Sequence, residues 1–350
     1  MKIIQIMAGN KAGGAETAFI DMCIAMHQSG QDIEVITRKN EARLARLSDV
    51  GIVYHTLPFG GFIDGYTKHA IKKIIQKSQP DIVQTWMSRA AVKTPHWQKV
   101  KTSKEYKTVA RLGGYYDLKY FKAMDYFVAV TPDLKDLIIK NGVDKNRITQ
   151  INNFAETEED IIPINRKDLN TPSDATVLLS LARLHENKAL DIVIESLKDL
   201  PNTYLWLAGD GPLKEELRSQ VKDLGLEKRV KFLGWRNDRS ALLQAADICV
   251  FVSRQEPFGS VFIQSWANKT PVIVSDAEGP KQFCQDGVDS LMIPKNNAKA
   301  LTEAIQKLQD DNVLQMKLVN QGYQKYLNEF TKEKSVQAYL DYYKKILSAS

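Results

Sequence analysis

The sequence has no long apolar run and few cysteines. No apolar stretch approaches the ~18 residues that a membrane-spanning helix needs, and the apolar segment 2–7 is too short for the core of a secretory signal. The three cysteines, Cys23, Cys249 and Cys284, lie in or beside apolar stretches. This pattern predicts buried free thiols rather than a disulfide framework. We therefore predict a cytoplasmic protein.

Several familiar motifs are also missing. The glycine-containing loop at residues 9–16 lacks the Gly-Lys-Ser/Thr of a P-loop, and neither half of the chain has G-x-G-x-x-G after its first predicted strand. The second absence disfavours a dinucleotide-dependent oxidoreductase, which is the main alternative class of enzyme. No Asp-x-Asp pair stands at a convincing strand end. We therefore predict neither a metal nor another cofactor.

Acidic residues are scarce in one stretch of the first half. Residues 66–107 contain ten lysines and arginines against Asp81 and Glu105, a local charge of +8 in a chain whose net charge is +6. Such a region indicates an anionic partner, which is a membrane surface, a nucleic acid or a phosphorylated substrate. No recognised nucleic-acid motif accompanies it, so we do not expect nucleic acid. The alternative is a solvated lysine-rich helix face.

The composition is that of a globular protein, and its patterning is α/β. Hydrophobic residues make up 43% and charged residues 26%, which excludes a disordered or fibrous chain. Short apolar segments alternate with helical patterns, and the predicted strands of the first half run from the first at residues 2–7 to the last at 126–130. This alternation predicts mostly parallel sheets covered on both faces. The alternation breaks at a polar stretch, 153–174, that resembles a linker. At about 150 residues per domain, we predict two doubly wound domains, 1–160 and 161–332.

Two loops after predicted strands carry candidate phosphate ligands. Gly13 and Gly14 stand between a strand and a helix, where backbone N–H groups can approach a phosphate. The alternative is a tight turn that binds nothing. Arg183 and Lys188 follow the first strand of the second half, where a guanidinium fork and an ammonium can converge on one diphosphate. The alternative there is two surface cations.

A third loop carries a carboxylate. Pro257 suits an early helix position, and Gly259 and Ser260 would expose backbone donors at the helix start. Glu256 and Gln264 are eight residues apart, so we expect them on one helix face. Glu256 can accept hydrogen bonds from sugar hydroxyls. The alternative role is a simple charge at a helix N-terminus.

These sites together resemble the retaining glycosyltransferases of family 4, which have the GT-B fold of two Rossmann-like domains facing across a cleft. The resemblance covers nearly the whole chain. The motifs that carry it are Gly13-Gly14-Ala-Glu16, Arg183 with Lys188, Gly209-Asp-Gly211-Pro, Phe232-Leu-Gly234-Trp and Glu256-Pro-Phe-Gly through Asp286-Gly287.

The resemblance implies a nucleotide-diphosphate sugar as the donor, bound mainly by the second domain. It assigns Gly13 and Gly14 to the donor phosphates, Arg183 and Lys188 to the diphosphate, and Glu256 to the donor sugar. Arg183, Lys188 and Glu256 are the candidate catalytic residues. The remaining donor-binding positions that it implies are Gly234, Phe258, Gly259, Ser260 and Gln264. Gln264 departs from the family, since the second Glu of its E-x7-E motif stands there and holds the ribose. Glu278 likewise replaces a glycine.

A narrower resemblance is to bacterial transferases of lipopolysaccharide core assembly, including mannosyltransferases. It rests on segments 84–89, 110–120 and 183–188. It implies a lipid-linked or phosphorylated glycan acceptor, met at the inner face of the cytoplasmic membrane by the first domain. The acceptor-side candidates are Glu16, Arg89, Arg111 and Asp117. The alternative for both arginines is a surface ion pair, and for Asp117 a turn or helix-cap role.

The end of the chain, 331–347, has apolar residues at helical spacing. In the GT-B fold, the terminal helix crosses back to the first domain, so we assign 333–350 there. The predicted function is a retaining transfer of a hexose, mannose favoured, without a metal. A catalytically impaired sugar-nucleotide-binding relative is the alternative that Gln264 keeps open.

Overall fold

The computed structural model describes residues 1–9, 13–61, 64–156 and 160–348. The chain forms two compact units, one of residues 1–153 together with 332–350 and the other of residues 154–331. Each unit is built on one sheet whose strand pairs are all parallel among the described residues. The predicted α/β class with two doubly wound sheets is confirmed.

The first unit has a seven-stranded sheet in the described part of the chain. Its strands are β1 (Lys2–Met7), β2 (Asp32–Thr37), β3 (Val53–Thr56), β4 (Ile82–Trp86), β5 (Lys107–Leu112), β6 (Tyr126–Ala129) and β7 (Ile148–Gln150). Its first helices are α1 (Gly14–Gln28), α2 (Glu41–Asp49), α3 (Gly65–Ser78), α4 (Met87–Lys93) and α5 (Pro132–Lys140). The strand order is β3-β2-β1-β4-β5-β6-β7, and β1 is almost wholly buried because helices cover both faces.

The second unit repeats this plan with six strands among its described residues. They are β8 (Thr176–Leu181), β9 (Thr203–Ala208), β10 (Val230–Gly234), β11 (Ile248–Phe251), β12 (Val272–Ser275) and β13 (Leu291–Ile293), in the order β10-β9-β8-β11-β12-β13. The helices are α6 (Leu190–Ser196), α7 (Lys214–Asp223), α8 (Arg239–Ala245), α9 (Ser260–Ala267), α10 (Pro280–Phe283), α11 (Ala298–Asp310) and α12 (Asn312–Glu329). Leucine, isoleucine and valine side chains from strands and helices form its core.

The last helix, α13 (Lys332–Ser348), belongs to the first unit. Its Tyr343 hydroxyl is buried and donates a hydrogen bond of 2.6 Å to Gln84 Oε1 on β4. The amide of Gln84 donates in turn to Gln5 Oε1 on β1 at 3.2 Å. Buried polar groups are costly unless they are paired, so this chain of bonds fixes the position of α13 on the sheet.

The state of the cysteines and the lengths of the helices agree with what the sequence predicts. Cys23, Cys249 and Cys284 are buried and free, as predicted. Burial raises the pKa of Cys249 to about 12 because the thiolate would lose its hydration. Among the described residues, no helix combines the length and the apolar composition that crossing a bilayer requires.

Candidate functional site

The order in which strands are added to the second sheet changes side between the neighbouring strands β8 and β11. The chain runs from β8 to β9 on one side, whereas β11 pairs with β8 on the other side. The loops that leave β8 and β11 therefore diverge and open a crevice at the carboxyl ends of the strands, which is where open α/β sheets bind their ligands. Both loops carry residues that the sequence singled out.

Arg254 ties the loop after β11 to the loop after β8. Its backbone N–H donates to Asn187 O at 2.8 Å, and its guanidinium donates to Asp191 Oδ1 and Oδ2 at 2.9 and 2.5 Å. A further bond of 2.7 Å reaches Glu186 O. The hydrogen bonds to Asp191 raise the pKa of Arg254. Sequence reasoning missed this clamp, because nothing local to either residue signals a partner so far along the chain.

Lys188 and Glu256 form an ion pair between the two loops, from Nζ to Oε2. The side chains are 24% and 12% exposed, so the pair is only partly screened by water. The Lys188 ammonium also lies 5.7 Å from the centre of the Phe251 ring, at a distance typical of cation–π contacts. The structure thus brings together two of the three residues that were predicted to be catalytic.

The third of these residues, Arg183, is exposed on a firmly held backbone. A Cβ on Gly209 would lie 1.9 Å from Ala182 O, and one on Gly211 would lie 2.3 Å from Leu184 O. Only glycines allow the two loops to pack this closely. Within the described ranges, the Arg183 guanidinium has no ion pair and is accessible to a ligand. Lys188 is paired with Glu256, and the convergence of Arg183 and Lys188 on one diphosphate stays a prediction.

The helix after β11 begins later than predicted. α9 begins at Ser260, so Pro257 and Glu256 precede the helix, and the expectation that Glu256 and Gln264 share a helix face is wrong. The reason is Gly259, whose φ of +87° is left-handed and cannot continue a helix. A Cβ there would also lie 2.6 Å from the Phe251 ring. Gln264 lies on the second turn of α9 and is half-buried.

The loop after β12 is hydrogen-bonded to the backbone of Glu256. Gly279 N donates to Glu256 O at 2.7 Å. Glu278 accepts a hydrogen bond of 3.2 Å from Lys295 Nζ. Burial opposes its charge, but hydrogen bonds from its own backbone, from the Glu256 N–H and from Lys295 lower the pKa of Glu278 overall. The departure at position 278 therefore adds a charged carboxylate next to the backbone of Glu256. Phe258 packs in an aromatic cluster with Phe283.

Gly234 lies at the end of β10, on the other side of β9. Its φ is +66°, and it forms an isolated bridge with Gly209. The left-handed conformation explains the glycine, because a side chain disfavours it.

In the first unit, a carboxylate fills the described part of the glycine loop. A Cβ on Gly9 would lie 2.5 Å from Glu16 Oε1, and one on Gly13 would lie 2.9 Å from Glu16 Oε2. Residues 10–12 of this loop lie outside the described residues. Gly14 has open space around its Cα. The carboxylate of Glu16 therefore lies against Gly9 and Gly13 but not against Gly14, and the phosphate role of Gly13 and Gly14 stays a prediction.

The other acceptor-side candidates differ widely in exposure. Arg111 is 2% exposed, its guanidinium lies 4.3 Å from the centre of the Trp86 ring, and its Nη2 donates to Asn153 Oδ1. The alternative of a surface ion pair is therefore wrong for Arg111, and burial lowers its pKa. Asp117 accepts from Lys119 N at 2.9 Å at the start of a short 3₁₀ turn, which confirms the helix-cap role. Arg89 lies exposed on α4.

The side chains of the described ranges contain no group of three or more histidines, cysteines, aspartates or glutamates placed to hold a metal ion. This finding does not test whether the reaction needs a metal, so the independence from metal stays a prediction.

Known families match both halves of the chain. The profile of Glycosyl transferases group 1 matches residues 161–325, and that of Glycosyltransferase Family 4 matches residues 12–159. The lipopolysaccharide core biosynthesis glycosyltransferases LpsE and LpsD of Rhizobium meliloti (strain 1021) are 32% and 31% identical to this chain. Each match spans 97% of this chain, and it covers 98% of LpsE and 97% of LpsD.

Solved structures share the fold. Anabaena Alr3699/HepE in complex with UDP-glucose has a TM-score of 0.83 at 21% identity, with both chains covered over 100% of their length. These matches and the two Rossmann-like units define a GT-B glycosyltransferase. The chain belongs to glycosyltransferase family 4. The oxidoreductase alternative is thereby rejected.

Proposed function

We propose that this glycosyltransferase transfers a hexose, with mannose favoured, from a nucleotide-diphosphate sugar to a lipopolysaccharide core acceptor with retention. The observation that carries the donor part is the Lys188–Glu256 ion pair at the β8–β11 crevice, together with the exposed Arg183 in the loop after β8. The relatives LpsE and LpsD, whose names refer to lipopolysaccharide core biosynthesis, support the acceptor. The HepE complex with UDP-glucose supports a nucleotide-sugar donor.

In this proposal, the ion pair opens when the donor binds. The diphosphate attracts the Lys188 ammonium and the Arg183 fork, and both cations stabilise the charge that grows on the leaving group. The Glu256 carboxylate then accepts hydrogen bonds from the donor sugar hydroxyls. One positioned donor of this kind is worth on the order of 10²–10³ in rate. Protein cations thus perform a task that a metal performs elsewhere, and we propose that no metal is required.

Retention follows in this proposal if attack and departure occur on the same face of the sugar. The acceptor hydroxyl oxygen bonds to the anomeric carbon as the bond from that carbon to the diphosphate oxygen breaks. The hydroxyl proton passes to the departing phosphate oxygen, so no separate base is needed. We place the reaction in the cytoplasm at the inner face of the membrane, where the cations of residues 66–107 would favour an anionic surface.

The test is thermal stabilisation by a panel of UDP-, GDP-, ADP- and CMP-sugars and NAD(P)H without added metal. A ligand that binds only the folded state raises the melting temperature. We expect one sugar nucleotide to do so and Arg183→Ala to abolish the shift. The matched control is Arg218→Ala, which removes an exposed arginine that pairs with Glu215 on α7. A shift with NAD(P)H alone, or equal loss in both variants, would contradict the proposal.

Analysis of the reaction product tests the proposed acceptor and the proposed retention of configuration. With the donor identified, transfer to a truncated lipopolysaccharide core is followed by NMR of the new anomeric proton. An α-linked product from an α-linked donor supports retention, and an inverted product contradicts it. Donor binding without transfer would favour the alternative, which is a catalytically impaired relative that binds sugar nucleotides.

A further inference from the structure

A groove outside the crevice lies along the first turns of α3 in the first unit. Its volume is about 320 Å³, and its lining residues are Gly65, Lys68, His69, Lys72, Pro95 and Lys99. Four of these six residues are basic and none is acidic. The lysine stems and Pro95 provide the apolar walls, and the nitrogens provide the polar groups.

The lysines of the groove have no carboxylate partners within the described ranges, although other cations of the same stretch do. Lys104 pairs with Asp81 at 2.6 Å, and Lys107 pairs with Glu105 at 2.5 Å. The carboxylate of Asp64, at the start of α3, accepts from Gly60 N at 2.7 Å and from Thr67 N at 3.0 Å. It lies 4.0 Å from Lys93 Nζ. It is therefore engaged by groups outside the groove.

Two lysines of the groove lie on one face of α3. Lys68 ends the first turn and Lys72 follows four residues later, where two like charges repel each other. The positive end of the helix dipole is already met by the carboxylate of Asp64, the N-cap residue of α3. An anion in the groove would relieve the repulsion between the two lysines.

The walls of the groove are fixed before any ligand arrives. The Tyr106 hydroxyl is buried and donates to Pro95 O at 2.7 Å. The Lys93 ammonium, on a side chain that is 8% exposed, donates to Gly61 O at 3.0 Å and to Asp64 O at 2.6 Å. These bonds hold the backbone on both sides of the groove, so ligand binding needs to order only the lysine side chains.

We propose that this groove binds a phosphate group, held by the ammonium groups of Lys68, Lys72 and Lys99. Three point charges that have no carboxylate partner among the described residues, together with an apolar wall, suit a phosphate carried on an organic group. That group is either a small phosphate ester or the headgroup of an anionic lipid. The site lies in the first unit and does not depend on the proposed transfer reaction.

The test compares two double variants on the same helix. Lys68→Gln with Lys72→Gln removes two charges from the groove, whereas Lys73→Gln with Lys77→Gln removes two exposed charges at the same spacing that do not line it. Binding of glucose 6-phosphate is measured by calorimetry at low salt. Binding to phosphatidylcholine vesicles with and without phosphatidylglycerol is measured by sedimentation. Lys99→Gln, which lies outside α3, is a third variant that leaves the helix unchanged.

We expect the groove variants to weaken binding at least tenfold, as a loss of about 1.4 kcal/mol or more implies, and the control pair less than twofold. Loss in the calorimetric arm assigns the site to soluble phosphate esters, and loss in the vesicle arm alone assigns it to lipid headgroups. No binding in either arm, or equal losses in the groove and control pairs, would overturn the proposal. Stabilisation by sugar nucleotides is measured on the same samples, so that failure of the donor site is recognised separately.

Discussion

Replacing Gly279 with alanine tests whether the loop after β12 holds Glu256 in place. A Cβ at this position would lie 2.3 Å from Phe258 O, 2.6 Å from Phe258 Cα and 2.7 Å from Phe258 C. All three are backbone atoms, so no side-chain rotation can relieve the overlap. The loop must move, and the 2.7 Å hydrogen bond from Gly279 N to Glu256 O must lengthen or break.

The expected loss follows from these two effects. Overpacking of a filled site costs about 1–3 kcal/mol, and the lost hydrogen bond costs about 1 kcal/mol. The sum is about 2–4 kcal/mol in the free energy of unfolding. For a unit the size of residues 154–331, each kcal/mol lowers the melting temperature by about 2–4 °C, so a fall of about 4–16 °C is expected.

The assay is calorimetric melting of the parent, Gly279→Ala and Gly14→Ala. A Cβ on Gly14 meets nothing within 4 Å, and Gly14 begins α1, so that variant should melt at or above the parent temperature. Gly279→Ala should also reduce the stabilisation by the sugar nucleotide. A Gly279→Ala protein that melts like the parent would refute the close packing of Gly279 against Phe258, and with it the support assigned to Glu256.

Three further predictions concern other parts of the molecule. Gln264→Glu should tighten sugar-nucleotide binding about tenfold, because a carboxylate forms charge-assisted bonds to ribose hydroxyls, and unchanged or weaker binding in calorimetry would contradict the role assigned to this position. Tyr343→Phe leaves the buried Gln84 Oε1 without its 2.6 Å hydrogen bond and should lower the free energy of unfolding by about 1–3 kcal/mol in urea titrations; a neutral effect would argue against that bond. Burial opposes the charge of Glu34, but hydrogen bonds, first that from His55, lower its pKa overall. Its contribution to stability is therefore present above the ordinary glutamate pKa and is lost as the pH falls through the depressed value. The stability advantage of the parent over Glu34→Gln, measured by melting at a series of pH values, should shrink on acidification, and a constant difference would refute this.

The sequence predicted the strands best where they are buried on both faces. The first predicted strand, Lys2–Met7, has the bounds that the structure shows, because a strand between two layers of helices is apolar at most of its positions. The strand Ile148–Gln150 was missed. It lies at the edge of its sheet and has a single fully buried residue. Pairing with β6, rather than its own residue pattern, makes it a strand.

The sequence also named the residues of the candidate site but not their arrangement. Lys188 and Glu256 stand in loops that a resemblance could identify, yet they are 68 residues apart. Only the order of β8 and β11 in the sheet brings them into contact. The Arg254–Asp191 clamp could not be predicted from the local sequence, because each residue taken alone is compatible with an ordinary surface charge.

Local pattern and tertiary position therefore determined different properties of this protein. Apolar spacing and strand-end glycines are local, and they were enough to determine the α/β class and the loops of the candidate site. Burial is not local, and Arg111 shows the difference. Its neighbours in the sequence are compatible with a surface cation, but Trp86 and Asn153 enclose it. The environment of a charge is set by residues distant in the chain, and only the folded structure brings those together.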